Sequence, residues 1–372
     1  MRILLVSLLL LVTFMFCTNS KSEEIGLDEK IGQMIMIGFQ GTEIHSSSYI
    51  LRDILLYNIG GIILFDYDVP SKSRPRNIES PDQLKLLIDN LQNASKVPLF
   101  ISVDQEGGMV SRLKTRYGFP SSISAEHIGI VNNNDTSHFW ASRTASMLSK
   151  MHFNMNFAPV VDVNTNPDCP VIGKIERSFS GNPDIVSHEA KIVIDEHRKK
   201  SIICALKHFP GHGSAKEDSH IGFTNVSETW QPLELNPYKT LIYNSDCDMI
   251  MTAHVFNSQL DAEFPATLST KTVSNLLRDS LGYLGVVISD DMNMGAIADN
   301  FSMEFTIEHA VNAGIDIIMF CNNSTVYDSD MPKKVFAIFK ELVESGKISE
   351  DRINESYNRI IELKKKYGII QN

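Results

Sequence analysis

The segment from Lys207 to His220, KHFPGHGSAKEDSH, concentrates residue types that move protons and grip polar ligands. Asp218 and His220 alternate around Ser219, so on an extended loop both side chains face one side. A carboxylate beside an imidazole stabilises its protonated form and fixes its tautomer, which makes His220 a candidate general acid with Asp218 as its partner. The plainer reading is a solvated acidic loop, since Glu217 adjoins the pair. His208 and His212 have the spacing of a zinc-binding helix, but Pro210, Gly211 and Gly213 disfavour a helix there and no HExxH glutamate accompanies them. Zinc held by His208, His212 and His220 is therefore not expected. Lys207 leaves two readings open: a Schiff-base nucleophile, or a fixed charge that binds a sugar hydroxyl or a carboxylate.

These residues need a frame. Short apolar runs recur along the chain at Met34–Phe39, Gly61–Phe65, Leu99–Val103, Phe157–Val161, Ile202–Leu206, Met249–Ala253, Val286–Ser289 and Ile315–Phe320. Helical patterns separate them. Ser80 caps a stretch that opens at Pro81 and runs through Leu91, and Ser269 caps one to Leu281 with Val273, Leu276 and Leu277 on one face. Asn300 or Ser302 starts a stretch through Ala310, and the tail from Ser349 to Tyr367 is amphipathic through Ile353, Tyr357, Ile360, Ile361 and Leu363. Strands alternating with helices imply a parallel sheet, and near-continuous apolar strands suit a sheet buried on both faces. The count is that of a single α/β barrel of the TIM type, a (β/α)8 fold with some irregular strands. An open doubly wound sheet is the alternative, weakened because no GxGxxG follows the first strand.

Ionisable residues then fall in a pattern. Asp104 follows the third run, Asp162 the fourth, Lys207 and His208 the fifth, His254 the sixth, and Asp290 with Asp291 the seventh. Any one of them could be a solvated loop residue. In a barrel these strand ends converge on one mouth, so five in a row point to a shared site. Strand alternation lets only one of Asp290 and Asp291 face that mouth.

The 372-residue chain carries a formal net charge of -11, which argues against nucleic acid as a partner, because phosphate neutralisation needs clustered Lys and Arg. Arg2, the apolar run from Ile3 to Phe16 and the polar stretch after it read as a signal peptide over residues 1–20, since the run is shorter than the about 20 residues of a membrane span. A retained anchor is the alternative, and Cys17 stands where a lipoprotein cysteine could stand, although Phe14, Met15 and Phe16 are poor small-residue neighbours. The expectation is an exported protein: periplasmic, secreted, or a surface lipoprotein attached to the membrane through its N-terminus. Cys169, Cys204, Cys247 and Cys321 match no metal spacing, and Cys204 reads as a buried free thiol.

KHFPGHGSAKEDSH closely resembles the signature loop of glycoside hydrolase family 3, in its NagZ-type β-N-acetylhexosaminidase branch. The resemblance extends to VDQEGGMVSRL at 103–113, APVVDVN at 158–164, VIGKIERSFSGNP at 171–183, TAHVF at 252–256, PATLS at 265–269 and GVVISDDMNMGAI at 285–297. It spans residues 26–368, which it implies form one catalytic barrel without cofactor or metal. It also implies that Asp290 is the nucleophile, that Asp218 and His220 form the acid/base dyad, and that Asp104, Arg112, Arg177, Lys207 and His208 hold the sugar. Under it, Lys207 is a sugar ligand rather than a Schiff base. Met109, where arginine is common, Lys174-Ile175-Glu176 and Lys216-Glu217 depart from the family pattern and touch fine specificity.

The implied activity is a retaining exo-acting β-N-acetylhexosaminidase that releases terminal N-acetylglucosamine from oligosaccharides or muropeptides, with a place in peptidoglycan turnover. A monomer is expected. A β-glucosidase or broad exo-glycosidase of the same family, a non-catalytic surface carbohydrate-binding lipoprotein, and phosphate in place of water as acceptor stay open.

Overall fold

The computed structural model describes residues 25–219 and 222–371. The expected signal segment 1–20 with Cys17, and His220, lie outside the described residues. Eight parallel strands close into a barrel: β1 (Ile35–Gly38), β2 (Gly61–Ile63), β3 (Phe100–Val103), β4 (Met155–Asn156), β5 (Ile203–Phe209), β6 (Met249–Thr252), β7 (Val286–Asp291) and β8 (Ile317–Phe320). Each pairs with its neighbours in sequence, and β8 returns to β1 with Ile318 opposite Ile35. Residues such as Ile35, Ile62, Ile101, Val287 and Ile318 are almost wholly buried, because helices cover the outside of the ring and side chains fill its inside.

The fourth strand lies earlier than its apolar run suggests. The ladder holds only at Met155–Asn156. Beyond it, Phe157 N–H donates to Val103 O and Val161 N–H donates to Lys207 O, at 3.0 and 2.8 Å. Pro159 between them has no N–H to give, so the chain stays beside its neighbours without a continuous ladder. Asp162 still follows this stretch.

The helices start where the caps indicate. Ser80 and Gln83 form a reciprocal capping box on Pro81–Ala94, Ser302 accepts from Phe305 N–H, and Ser349 accepts from Arg352 N–H. Ser269 Oγ accepts from Thr272 N–H at 3.0 Å ahead of helix Lys271–Ser280, which is wound as a π-helix and buries Val273 and Leu277. The last helix, Glu350–Lys366, packs against the first, Leu27–Gln33, at the floor of the barrel, where the strands begin.

Two strands carry an extra residue at the mouth. Leu206 pairs with Ile250 but Phe209 with Thr252, and Ile288 pairs with Ile317 but Asp291 with Met319. Such bulges break the two-residue alternation of side chains. Sequence neighbours Lys207 and His208 therefore both reach the mouth, and so do Asp290 and Asp291, against the expectation that only one of the latter pair would.

Candidate active site

The strand ends enclose a cavity of about 420 Å³, lined by Asp104, Arg112, Arg177, Lys207, His208, Asp218 and Asp290 among others. Of the expected site residues that are described, these meet in the cavity, whereas Asp162 and His254 stand just outside it.

Asp104 leaves β3 directly, and a short hairpin, Gln105–Gly107 against Val110–Ser111, brings Arg112 back beside it. Gln105 pins that hairpin: its amide donates to Ser111 Oγ at 2.7 Å, and its carbonyl accepts from Arg112 and Leu113 N–H at 3.0 and 2.9 Å. Gly107 turns the hairpin at a φ of +107°, where an added Cβ would lie 2.2 Å from Ile123 O. Arg177 arrives from the long connection after β4. The unusual Lys174 and Glu176 beside it point to solvent, while Ile175 faces the cavity.

At the centre lies an ion network. Lys207 Nζ donates to Asp104 Oδ1 at 2.8 Å and sits 2.6 Å from Glu106 Oε1. Arg177 grips both Glu106 oxygens, Nε to Oε2 at 2.8 Å and Nη2 to Oε1 at 2.7 Å. Arg112 stands 3.5 Å from Asp104 Oδ2. Burial opposes ionisation of Glu106, but the charges of Arg177 and Lys207 outweigh it and hold the carboxyl well below the usual carboxylate range. Asp104 is lowered likewise, with Lys207 and Arg112 overcoming its burial. For Lys207, burial works to remove the proton, while Asp104 and Glu106 overcome it and raise the pKa. An ammonium so held is a hydrogen-bond donor and not a nucleophile, which decides against the Schiff-base reading.

His208 is fixed on two sides. Its Nδ1 lies 2.7 Å from Asp162 Oδ2, and Arg177 Nη2 lies 3.2 Å from its Nε2. A guanidinium only donates, so Nε2 accepts and Nδ1 carries the hydrogen. Both ring nitrogens are taken by protein groups, one of them by a cation, which leaves His208 unsuited to a metal. Asp162 lies beneath the cavity. Its other oxygen accepts from the backbone N–H of His208 and His212 at 3.2 and 2.8 Å.

On the opposite wall, Asp290 Oδ1 accepts from Asp291 N–H at 2.7 Å. Asp291 turns its own Oδ1 to the backbone N–H of Cys321 and Asn293, at 2.9 and 3.0 Å. Burial, with the neighbouring Asp290 charge adding to it, pushes Asp291 up to about 6. His254, expected in the site, braces it from behind: Nε2–H donates to Asp291 O at 3.0 Å, and Nδ1 lies 2.9 Å from Thr267 Oγ1.

Two residues escaped the sequence reading. Glu106 stands two positions past Asp104, which puts both on one face of an extended chain, so alternation was the available signal. Asp66 lines the cavity just past β2, with Lys114 Nζ at 2.7 Å. Like Asp104 it follows a core strand, but it lies far in sequence from the motifs that carry the family resemblance.

Comparison with known proteins places this arrangement. The model of the glycosyl hydrolase family 3 N-terminal domain matches residues 26–363. Beta-hexosaminidase A of Pseudoalteromonas piscicida is 35% identical over 339 residues, and this chain spans only 54% of it. A beta-hexosaminidase of Alkalilimnicola ehrlichii is 32% identical, over 87% of this chain and 88% of that protein. The structure of a glycoside hydrolase family 3 β-N-acetylglucosaminidase from a Paenibacillus strain superposes with a TM-score of 0.84 at 34% identity, covering 93% of this chain and 63% of that one. With a match over nearly its whole described length, the chain belongs to glycosyl hydrolase family 3.

Proposed function

We propose that the protein is a retaining exo-acting β-N-acetylhexosaminidase that removes terminal β-linked N-acetylglucosamine. The observation that carries this reading is the convergence of Asp290 and Asp218 on the cavity that Asp104, Lys207 and Arg177 also line, with Glu106 tying the last two together. Such a cavity holds about one sugar ring at its base. Lys207, Arg177 and Arg112 present donors to ring hydroxyls and Asp104 accepts from others, while His208 holds Arg177 in place through its Nε2, and these mutual bonds fix the group before substrate enters.

In the first step an oxygen of Asp290 bonds to the anomeric carbon as the bond to the leaving oxygen breaks. His220, protonated with the help of Asp218, gives its proton to that oxygen. In the second step water attacks the same carbon, His220 takes a proton from it, and the bond to Asp290 breaks. Two inversions leave the configuration retained. Asp290 suits the nucleophile better than Asp291, because Asp291 is tied to two backbone donors and its raised pKa keeps it partly protonated near pH 6. The curated relatives' names support a hexosamine as the sugar, and the name of the Paenibacillus enzyme supports N-acetylglucosamine.

The apolar run from Ile3 to Phe16 supports export, through a signal over 1–20 or a lipid on Cys17, of a monomeric barrel over 26–368. An exported enzyme of this kind meets muropeptides or chitin oligosaccharides. Asp290→Ala is expected to cut hydrolysis of an aryl β-N-acetylglucosaminide by about a thousandfold or more while the fold survives. Full activity in that variant sinks the proposal. Parallel assays on a muropeptide and on chitobiose then rank the natural substrates.

A further inference from the structure

The loop that follows β5 is built in two parts. Its first part is fastened to the connection after β4. Asp162 Oδ1 accepts from His212 N–H at 2.8 Å, Asn166 N–H donates to Gly213 O at 3.2 Å, and Asn166 Nδ2 donates to Ala215 O at 2.9 Å. Gly213 presses on that connection so closely that a Cβ would lie 1.9 Å from Val163 O. Next come the exposed Lys216 and Glu217. At Ser219 the chain dips back inside, with that residue 2% exposed.

Two contacts receive Ser219. Its Oγ lies 3.0 Å from His212 Nε2, and its backbone oxygen accepts from Ala296 N–H at 3.3 Å. Ala296 belongs to the connection that leaves β7, just past Asp290 and Asp291. Ser219 thus joins the fastened half of its own loop to the segment that carries the nucleophile candidate. His212 is 3% exposed, so its imidazole cannot trade this partner for bulk water. Burial, with the facing His208 adding to it, holds His212 down to about 4, so the contact is a neutral hydrogen bond across the working pH range.

Ser219 separates Asp218 from His220 in sequence. Holding its hydroxyl fixes the angle at which its neighbours are presented. We infer that His212 and Ser219 are positioning residues, a latch that sets the acid/base segment against Asp290. The inference rests on the retaining-hydrolase reading above. Proton transfer needs the acid within hydrogen-bond reach of the leaving oxygen, and a displacement of about 1 Å can cost on the order of a hundredfold.

The test measures kcat/KM for Ser219→Ala, Ser219→Thr and Asp290→Ala over substrates of different leaving-group acidity. A dinitrophenyl N-acetylglucosaminide departs without an acid, whereas a β-linked disaccharide of N-acetylglucosamine needs one. Ser219→Ala is expected to lose about ten- to a hundredfold on the disaccharide and less than about threefold on the dinitrophenyl substrate. Ser219→Thr keeps the hydroxyl and is expected to keep the wild-type ratio between the two. His212→Gln, whose amide still reaches toward Ser219, is expected to fall between them. Equal losses on both substrates, or none, overturn the latch while a dead Asp290→Ala leaves the retaining reading standing. Activity surviving in Asp290→Ala overturns that reading and the latch with it.

Discussion

At the mouth of the barrel Lys207 is 2% exposed, and at the floor Lys364 is 0% exposed. Both ammonium groups sit among oxygens. Those around Lys207 belong to the carboxylates of Asp104 and Glu106. Those around Lys364 are neutral: Gln33 Oε1 at 2.7 Å, Gly60 O at 3.1 Å and Pro98 O at 2.7 Å, with the face of Phe100 4.7 Å away. Burial alone therefore decides Lys364, which is pushed down to about 7, whereas Lys207 is raised. The same residue type, equally hidden, is a permanent cation at one end and gives up its proton near neutral pH at the other. The mouth spends its charge on holding polar groups ready for a ligand. The floor uses a lysine to tie the last helix to the starts of β1, β2 and β3.

The two lysines have opposite pH signatures. A lysine whose folded pKa is raised stabilises the fold below its unfolded value, and that contribution disappears as pH rises through the folded value. For Lys364 the folded state binds its proton less tightly than the unfolded state. Its penalty is therefore complete below about pH 7 and is relieved between about 7 and 10.4.

The largest effect should come from making the mouth resemble the floor. Glu106→Gln replaces a carboxylate by a neutral oxygen and leaves Arg177 and Lys207 short of charge. Breaking a buried pair of this kind costs about 3–5 kcal/mol. Denaturant unfolding should register that loss, and activity should collapse with it. A variant of wild-type stability would mean that the network is not held by charge.

A smaller effect is expected from Lys364→Met, which strands three oxygen acceptors for about 1–3 kcal/mol. Stability measured from pH 6 to 10 should show the sign. Relative to the variant, the wild type should gain up to about 1.4 kcal/mol per pH unit above pH 7. Parallel curves would break the contrast between the two ends. Activity per folded molecule should not change, because the floor lies outside the cavity.

The smallest effect belongs to Asp291, the mouth's own example of an ionisable group held by neutral partners. Its Asn variant retains an oxygen for Cys321 and Asn293 N–H. Activity at pH 7 should stay within about threefold, and the acid limb of kcat/KM should lose a step near pH 6. An unchanged profile would show that Asp291 does not titrate beside the nucleophile.

Much of the site was legible beforehand because a barrel converts sequence position into place. A polar residue at the end of a core strand must lie at the mouth, which located Asp104, Lys207, His208 and Asp290 without knowledge of any contact. Arg112 and Arg177 sit on loops too long for that rule, and only the family resemblance singled them out. Strand boundaries failed where the backbone chemistry changed, as at Pro159. The count of mouth-facing residues failed where bulges in β5 and β7 suspended alternation, a matter of register between strands that no single run of residues reveals. Of the described groups only His254 and Asp162 were placed in the cavity's neighbourhood by position and turned out to brace it from outside.

By itself the sequence determined which residues the barrel gathers, because apolar periodicity and capping residues are local and their consequences survive assembly. It also determined the family, through an ordered series of motifs. Tertiary structure alone decided what each ionisable group would be. Lys207 and Lys364 carry the same side chain, and nothing in their flanking residues says that one meets carboxylates and the other carbonyl oxygens. The physical reason is that charge state depends on the few groups within some 3 Å after folding, and those groups come from distant parts of the chain.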